Sequence, residues 1–169
     1  GKAVSRICRR APELMLGDAP RFGLPALRTA IAQHVADWRG LDVDPDQIIV
    51  TSGAVEALEL CLRVFCQRGD VAAMEDPGYR PLRSFIQDQG LTPEFLEVEE
   101  QGAVLPQKAQ VAILTPSQQF PLGGPMTPQR RHDFLRWAQE NEGWVIEDDY
   151  DSEFRFAGRP IPAMAGLDQ

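Results

Sequence analysis

The sequence predicts an α/β fold, a three-layer sandwich in which helices cover both faces of a mostly parallel sheet. Three observations carry that expectation. Short apolar runs of strand length recur, as in Val71-Ala72-Ala73-Met74 and Val111-Ala112-Ile113-Leu114. Segments with helical spacing of apolar residues stand between them, and turns bearing Gly or Pro punctuate the junctions. Strands that alternate with helices pair in parallel, because each crossover returns the chain to the same end of the sheet.

After an irregular start, Leu24-Pro25 opens the first clear helix. Leu27, Ile31, Val35 and Trp38 line one face, Pro25 suits a first turn whose N–H has no acceptor, and Gly40 supplies the stop. The turn Asp44-Pro45-Asp46 leads into Gln47-Ile48-Ile49-Val50-Thr51, a β-branched run expected as a buried strand, and Val55 to Cys66 is expected as a helix. Val71 to Met74 is the next strand and Asp76-Pro77-Gly78 a turn. Pro81 to Gln89 reads as a helix ended by Gly90, and Glu94 to Val98 as a strand. Further on, Val111 to Leu114 is an apolar strand. Thr127-Pro128 caps a helix running to about Asn141, Gly143 stops it, and Trp144-Val145-Ile146-Glu147 is a last strand. The Pro/Gly-rich stretch from Thr115 to Pro128 is expected as a long structured loop near the site, and Glu97-Val98-Glu99-Glu100 as a solvated strand end.

Composition narrows the function classes. The 169 residues are 43% hydrophobic, enough for one core. With 17 basic against 25 acidic residues and a net charge of -8, the chain is not suited to gripping a nucleic acid by its overall field, so any DNA contact must come from elsewhere. Cys8, Cys61 and Cys66 lack C-x-x-C spacing, which indicates neither a disulfide framework nor a zinc site and fits a reducing cytoplasm. No apolar stretch is long enough to cross a bilayer, and no leader pattern stands at Gly1. His34 and His132 have no carboxylate or cysteine at ligand spacing, so both are expected to be structural and no metal site is expected.

In such sheets the ligand crevice lies beyond the carboxyl ends of the strands, which directs attention to Ser52 to Ala54, Glu75 to Tyr79, Thr115 to Gly124 and Asp148 to Tyr150. Ser52-Gly53-Ala54, between the expected strand and a helix, offers backbone N–H groups and a helix N-terminus to an anion, although the same tripeptide also serves as an ordinary N-cap turn. In Glu147-Asp148-Asp149-Tyr150-Asp151, extended geometry puts Asp148 and Tyr150 on one face. A carboxylate there would keep a pyridine nitrogen protonated, and a phenol would hydrogen-bond a ring oxygen. A solvated acidic strand end is the plainer alternative. Asp76-Pro77-Gly78-Tyr79 presents an aromatic ring able to stack on a flat heterocycle or to cap the core. Arg80 and Arg83 flank that tyrosine, where Arg80 is the candidate for a substrate carboxylate.

The strings Ile-Val-Thr-Ser-Gly-Ala at 49 to 54, Glu-Asp-Pro-Gly-Tyr at 75 to 79, Thr-Pro-Ser-Gln-Gln-Phe-Pro-Leu-Gly at 115 to 123 and Glu-Asp-Asp-Tyr-Asp-Ser-Glu-Phe-Arg at 147 to 155 resemble, in that order, the aminotransferase-like effector domain of MocR-type (GntR-family) transcriptional regulators. Gly-Leu-Pro-Ala-Leu-Arg at 23 to 28 and Gly-Arg-Pro-Ile-Pro-Ala-Met at 158 to 164 look like it too. Ordinary class I/II aminotransferases usually carry an Asn-Pro-Thr-Gly-type motif where this chain has Phe120-Pro121-Leu122-Gly123. The resemblance implies a partial large domain, residues 1–169, of the fold-type I pyridoxal-phosphate fold. Ser52, Gly53 and Ala54 would then hold the cofactor phosphate, Tyr79 would stack on the ring, Asp148 would pair with the pyridine nitrogen and Tyr150 with the ring hydroxyl. Gln118 stands where the family usually has His, and Leu16 where it often has an aromatic that serves the neighbouring subunit.

The implied function is to sense a small amino compound with pyridoxal phosphate, as a homodimer, and to pass that occupancy to a separate DNA-binding domain. The alternatives are a stand-alone aminotransferase and a degenerate oligomerisation module. The family's Schiff-base lysine lies in a Ser-Lys motif on a later segment, and neither Lys2 nor Lys108 has that context. This polypeptide by itself is therefore expected not to catalyse transamination, and its abrupt start at Gly1 is expected to mark an excised piece.

Overall fold

A computed structural model of the chain describes residues 1–12, 17–18, 20–154 and 161–167. Its strands are β1 (Val71–Asp76), β2 (Thr92–Glu99), β3 (Gly102–Ala103), β4 (Val111–Leu114) and β5 (Trp144–Glu147); its helices are α1 (Lys2–Arg10), α2 (Pro25–Arg39), α3 (Ala54–Phe65), α4 (Arg80–Asp88) and α5 (Pro128–Glu140). The five strands form one sheet in the order β3-β2-β1-β4-β5. β1 pairs in parallel with β2 and β4, and β4 with β5, while β3 is a two-residue antiparallel addition to β2. The expected mostly parallel sheet is therefore present.

Two apolar clusters lie on opposite faces of the sheet. Leu58 and Leu62 of α3 and Leu82 and Ile86 of α4 pack on Ala72, Met74, Val111 and Ile113. Phe134 and Trp137 of α5 pack with Met126 and Met164 on Ala73, Leu96, Ala112 and Leu114. Ala72, Ala73, Val111, Ala112 and Leu114 are 0% exposed. Burial on both faces explains why these strands read as continuous apolar runs rather than as alternating ones. Three helix boundaries follow from local chemistry. Pro25 and Pro128 occupy first turns, the Thr127 hydroxyl accepts from the Arg130 N–H, and Gly40 adopts the left-handed conformation that ends α2.

Three expectations need correction. The run 47–51 is not a strand: Pro45–Gln47 form a 3-10 turn closed by the Ile48 N–H on the Pro45 carbonyl at 3.2 Å, and the Val50 N–H then donates to the Phe22 carbonyl at 3.0 Å. Ile49 is 49% exposed and Val50 36%. β-branched residues favour a strand by packing on a pleated surface beside a partner, and no described strand lies next to this run. The start of the chain, expected to be irregular, forms α1, though none of its residues is buried. The stripe foreseen on α2 is only partly covered, and that helix buries Ala32 and Arg39 instead. The solvated strand end expected at Glu97 to Glu100 is present, with Glu97 and Glu99 exposed at the close of β2; the chain then turns into β3, where a side chain on Gly102 would press on Met126 at 2.7 Å. Leu16 and residues 155–160 of the motifs lie outside the described residues.

The topology itself opens a crevice. The chain leaves β1 through α4 to reach β2 on one side, and leaves β4 through α5 to reach β5 on the other. The two crossovers cover opposite faces. Where neighbouring crossovers diverge in this way, the loops beyond the carboxyl ends of the adjacent strands separate and leave room for a ligand.

Candidate functional site

Glu75, near the end of β1, and Thr115, just after β4, meet across that crevice. The Thr115 N–H and hydroxyl both donate to Glu75 Oε2, and Glu75 is 5% exposed. Burial pushes the Glu75 carboxyl above its ordinary range despite those donors, and the nearby Asp148 adds to the rise. The loop expected after Thr115 is pinned by Gln119, whose amide donates to the Pro77 carbonyl at 2.8 Å and accepts from the Leu122 N–H at 3.0 Å. This clamp fixes the loops that follow β1 and β4 against one another. It also presents Phe120, whose ring stands edge-on to Tyr79 at 6.3 Å between centroids and to Tyr150 at 6.0 Å. The two tyrosines picked out from sequence thus face one phenylalanine, a residue whose role the sequence did not reveal.

Strand alternation divides the acidic run after β5. Glu147 and Asp149 turn to one side and form ion pairs with the buried Arg39 of α2, which also donates to the Ser117 hydroxyl at 3.0 Å. Asp148 and Tyr150 take the other side. Among the described residues no cation or donor meets the half-buried Asp148 carboxylate, and burial, then the charge of Asp149, raises its pKa. Burial, then Asp151, raises the Tyr150 phenol, against a hydrogen bond from Gln118 that lowers it. A partly desolvated carboxylate without a counter-charge is an acceptor for a cationic N–H, and two phenols around an apolar ring suit a flat heterocycle.

The anion-binding end is built differently from expectation. Phe65, the last residue of α3, stacks on Trp144 at the start of β5 with 4.3 Å between centroids, so α3 runs against the strands and its N-terminus lies at their carboxyl end. Gly53 precedes it with φ 150, a conformation open to Gly. The first N–H groups of a helix have no intrahelical acceptor and hold anions well. Here Glu56 turns back to accept from the Ser52 N–H, and that bond, then the Ser52 hydroxyl, lowers its pKa. A phosphate at Ser52 to Ala54 has to displace this carboxylate. The residues therefore fit the ring of a pyridine cofactor directly and its phosphate only after Glu56 moves.

Arg80 is exposed at the first position of α4. His34 meets Glu153 at 3.3 Å and stacks on Trp38, a surface contact far from ligand geometry. Among the described residues no group of His, Cys, Asp and Glu could hold a metal ion, the three cysteines are free, and no helix is long and apolar enough to cross a membrane. Lys108 precedes β4, at the opposite end of the sheet from the crevice, and Lys2 lies on the uncovered α1.

Comparison with known proteins agrees with the motifs. The family described as Aminotransferase class I and II matches residues 17–162. The probable rhizopine catabolism regulatory protein MocR of Rhizobium meliloti is 38% identical over 172 residues, covering 99% of this chain and 35% of that protein. The HTH-type pyridoxine biosynthesis transcriptional regulator PdxR of Corynebacterium glutamicum is 41% identical over 152 residues, 88% of this chain and 33% of that protein. Among solved structures, an archaeal alanine:glyoxylate aminotransferase superposes with a TM-score of 0.89 at 26% identity, over 99% of this chain and 44% of that one. The chain thus spans about a third of the length of these curated relatives.

Proposed function

We propose, from the premise that the chain belongs to the class I and II aminotransferase family, that it is the pyridoxal-phosphate-binding, effector-sensing part of a MocR-type transcriptional regulator. The carrying observation is the half-buried Asp148 carboxylate, which has no partner among the described residues, at the carboxyl edge of the sheet where Tyr150 and Tyr79 stand around Phe120. In this reading Asp148 accepts from the protonated ring nitrogen, Tyr150 donates to the ring hydroxyl and Tyr79 covers a ring face. Ser52, Gly53 and Ala54 receive the phosphate once Glu56 withdraws. Bound in this way, pyridoxal phosphate supplies an electron-withdrawing ring and an aldehyde carbon reactive towards amines. Arg80, on the first turn of α4, is offered to a carboxylate of the amino compound.

The regulator is preferred over a stand-alone aminotransferase for two reasons. The relatives at 38% and 41% identity carry regulator names. Phe120 also stands where the enzymes usually have the Asn of an Asn-Pro-Thr-Gly motif. DNA contact is assigned to a separate domain, consistent with the net charge of -8. Occupancy changes activity only if one conformation binds the ligand better than another. The test is to titrate the longer protein that carries this chain with cofactor and amino compounds while following its affinity for operator DNA, and its mass by sedimentation. A change in DNA affinity on occupancy, from a dimer, is expected; constant affinity together with turnover of an amino donor and a keto acid would establish the enzyme instead.

A further inference from the structure

A cavity of about 920 Å³ opens beside the ring site, between the carboxyl end of β1, the first turns of α4, Phe95 of β2 and the Phe120-Pro121 corner. Its charge comes from α4. Arg80 and Arg83 lie one turn apart and line the same cavity, and the Arg83 guanidinium carbon sits 5.2 Å from the centroid of the Phe95 ring. Neither arginine meets a carboxylate among the described residues, whereas Arg28, Arg39, Arg63, Arg130 and Arg136 all do. The acids on the wall are Asp76, which is exposed, and Glu75, whose carboxyl pKa is raised by burial and whose Oε2 is held by the Thr115 N–H and hydroxyl. The apolar walls, Phe95 at 44% exposure and Phe120 at 40%, form a hydrocarbon-lined path from the ring site to the two guanidinium groups. Phe120 belongs to both places, since its edge-on partners are Tyr79 and Tyr150.

We propose that this cavity reads a distal carboxylate, so that the amino compound sensed here is an amino acid with a second, ω-carboxylate group on an apolar spacer. The proposal rests on the reading of Asp148, Tyr150 and Tyr79 as the ring site. The amino end reaches the cofactor, the methylenes run along Phe120, and the far carboxylate lies against Arg80 and Arg83. A guanidinium fork matches a carboxylate in two parallel hydrogen bonds, and apolar walls beside it reduce the screening that weakens exposed pairs.

The longer protein reconstituted with pyridoxal phosphate is titrated with glutamate and with its one-methylene-longer homologue, each against its ω-amide, while cofactor absorbance is followed. At least one acid is expected to bind on the order of ten-fold more tightly than its amide. The acid-to-amide ratio falls to near one in the folded double variant R80Q/R83Q, and added salt lowers it in the wild type. Equal affinities for both pairs, or a preference that survives in R80Q/R83Q, would overturn the proposal. If neither acids nor amides alter cofactor absorbance, the ring-site reading itself fails, and calorimetry with glutarate decides the cavity separately. Binding heat lost in R80Q/R83Q sustains a carboxylate site there, and absence of heat removes it.

Discussion

Asp148 and Asp149 are neighbours in sequence with opposite surroundings, one without a counter-charge among the described residues and the other paired with Arg39. Ionising Asp148 costs the folded state, because its pKa is raised there relative to the unfolded chain. That cost is absent below the ordinary value of 3.8 and grows as pH rises above it. Asp148→Asn therefore melts with the wild type at low pH and above it at neutral pH, while losing on the order of ten-fold in cofactor affinity with the charge-assisted bond. Melting temperatures against pH check the first part, and a temperature gap independent of pH would refute it. Glu75 invites a second pair of variants. Glu75→Leu leaves the Thr115 N–H and hydroxyl without their acceptor in a buried place, costing about 2 kcal/mol or more in urea denaturation, whereas Glu75→Gln, which keeps an acceptor oxygen, costs less than about 1 kcal/mol. The sequence made Asp148, Tyr150 and Tyr79 legible because period-two alternation and turn chemistry are local. It hid Arg39 and Phe120, since an arginine at the end of an amphipathic helix and a phenylalanine in a loop acquire their partners only through chain crossings.

At the scale of elements, the buried strands and the capped helices were readable, since apolar runs, Pro at first turns and Gly at stops act within a few residues. Two of the misreadings among elements came from partners. The run 48–51 has strand composition without a described strand beside it, and β3 has a strand pairing without strand composition, its place being set by the space that Gly102 leaves for Met126. The N-terminus of α3 shows a third kind of gap, because Ser52-Gly53-Ala54 reads as an anion site while Glu56, one turn on, supplies the anion itself. Removing that charge frees the Ser52 N–H and ends repulsion with an incoming phosphate. Glu56→Gln is thus expected to bind pyridoxal phosphate several-fold more tightly in a spectrophotometric titration, with rough ten-fold as the upper range for one charge-assisted contact. Unchanged or weaker binding would mean that the phosphate is held elsewhere.

Across the whole molecule, the alternation of strands and helices was enough to anticipate the parallel sheet, but not the order β3-β2-β1-β4-β5 or the divergence of α4 and α5 that opens the crevice. That order depends on which faces of the sheet the crossovers cover, and two sets of apolar residues, one per face, do not announce their faces in sequence. The run Ile48-Ile49-Val50-Thr51, exposed at Ile49 and Val50, bears on handling rather than chemistry. A β-branched stretch without a ladder partner is a template for self-association, and here the protein's acidic charge is the main force opposing it. Light scattering of this polypeptide should rise with concentration and with salt, and Ile49→Lys should flatten that rise and enlarge the soluble yield, so that colloidal behaviour in the test tube follows from four residues that no described strand covers.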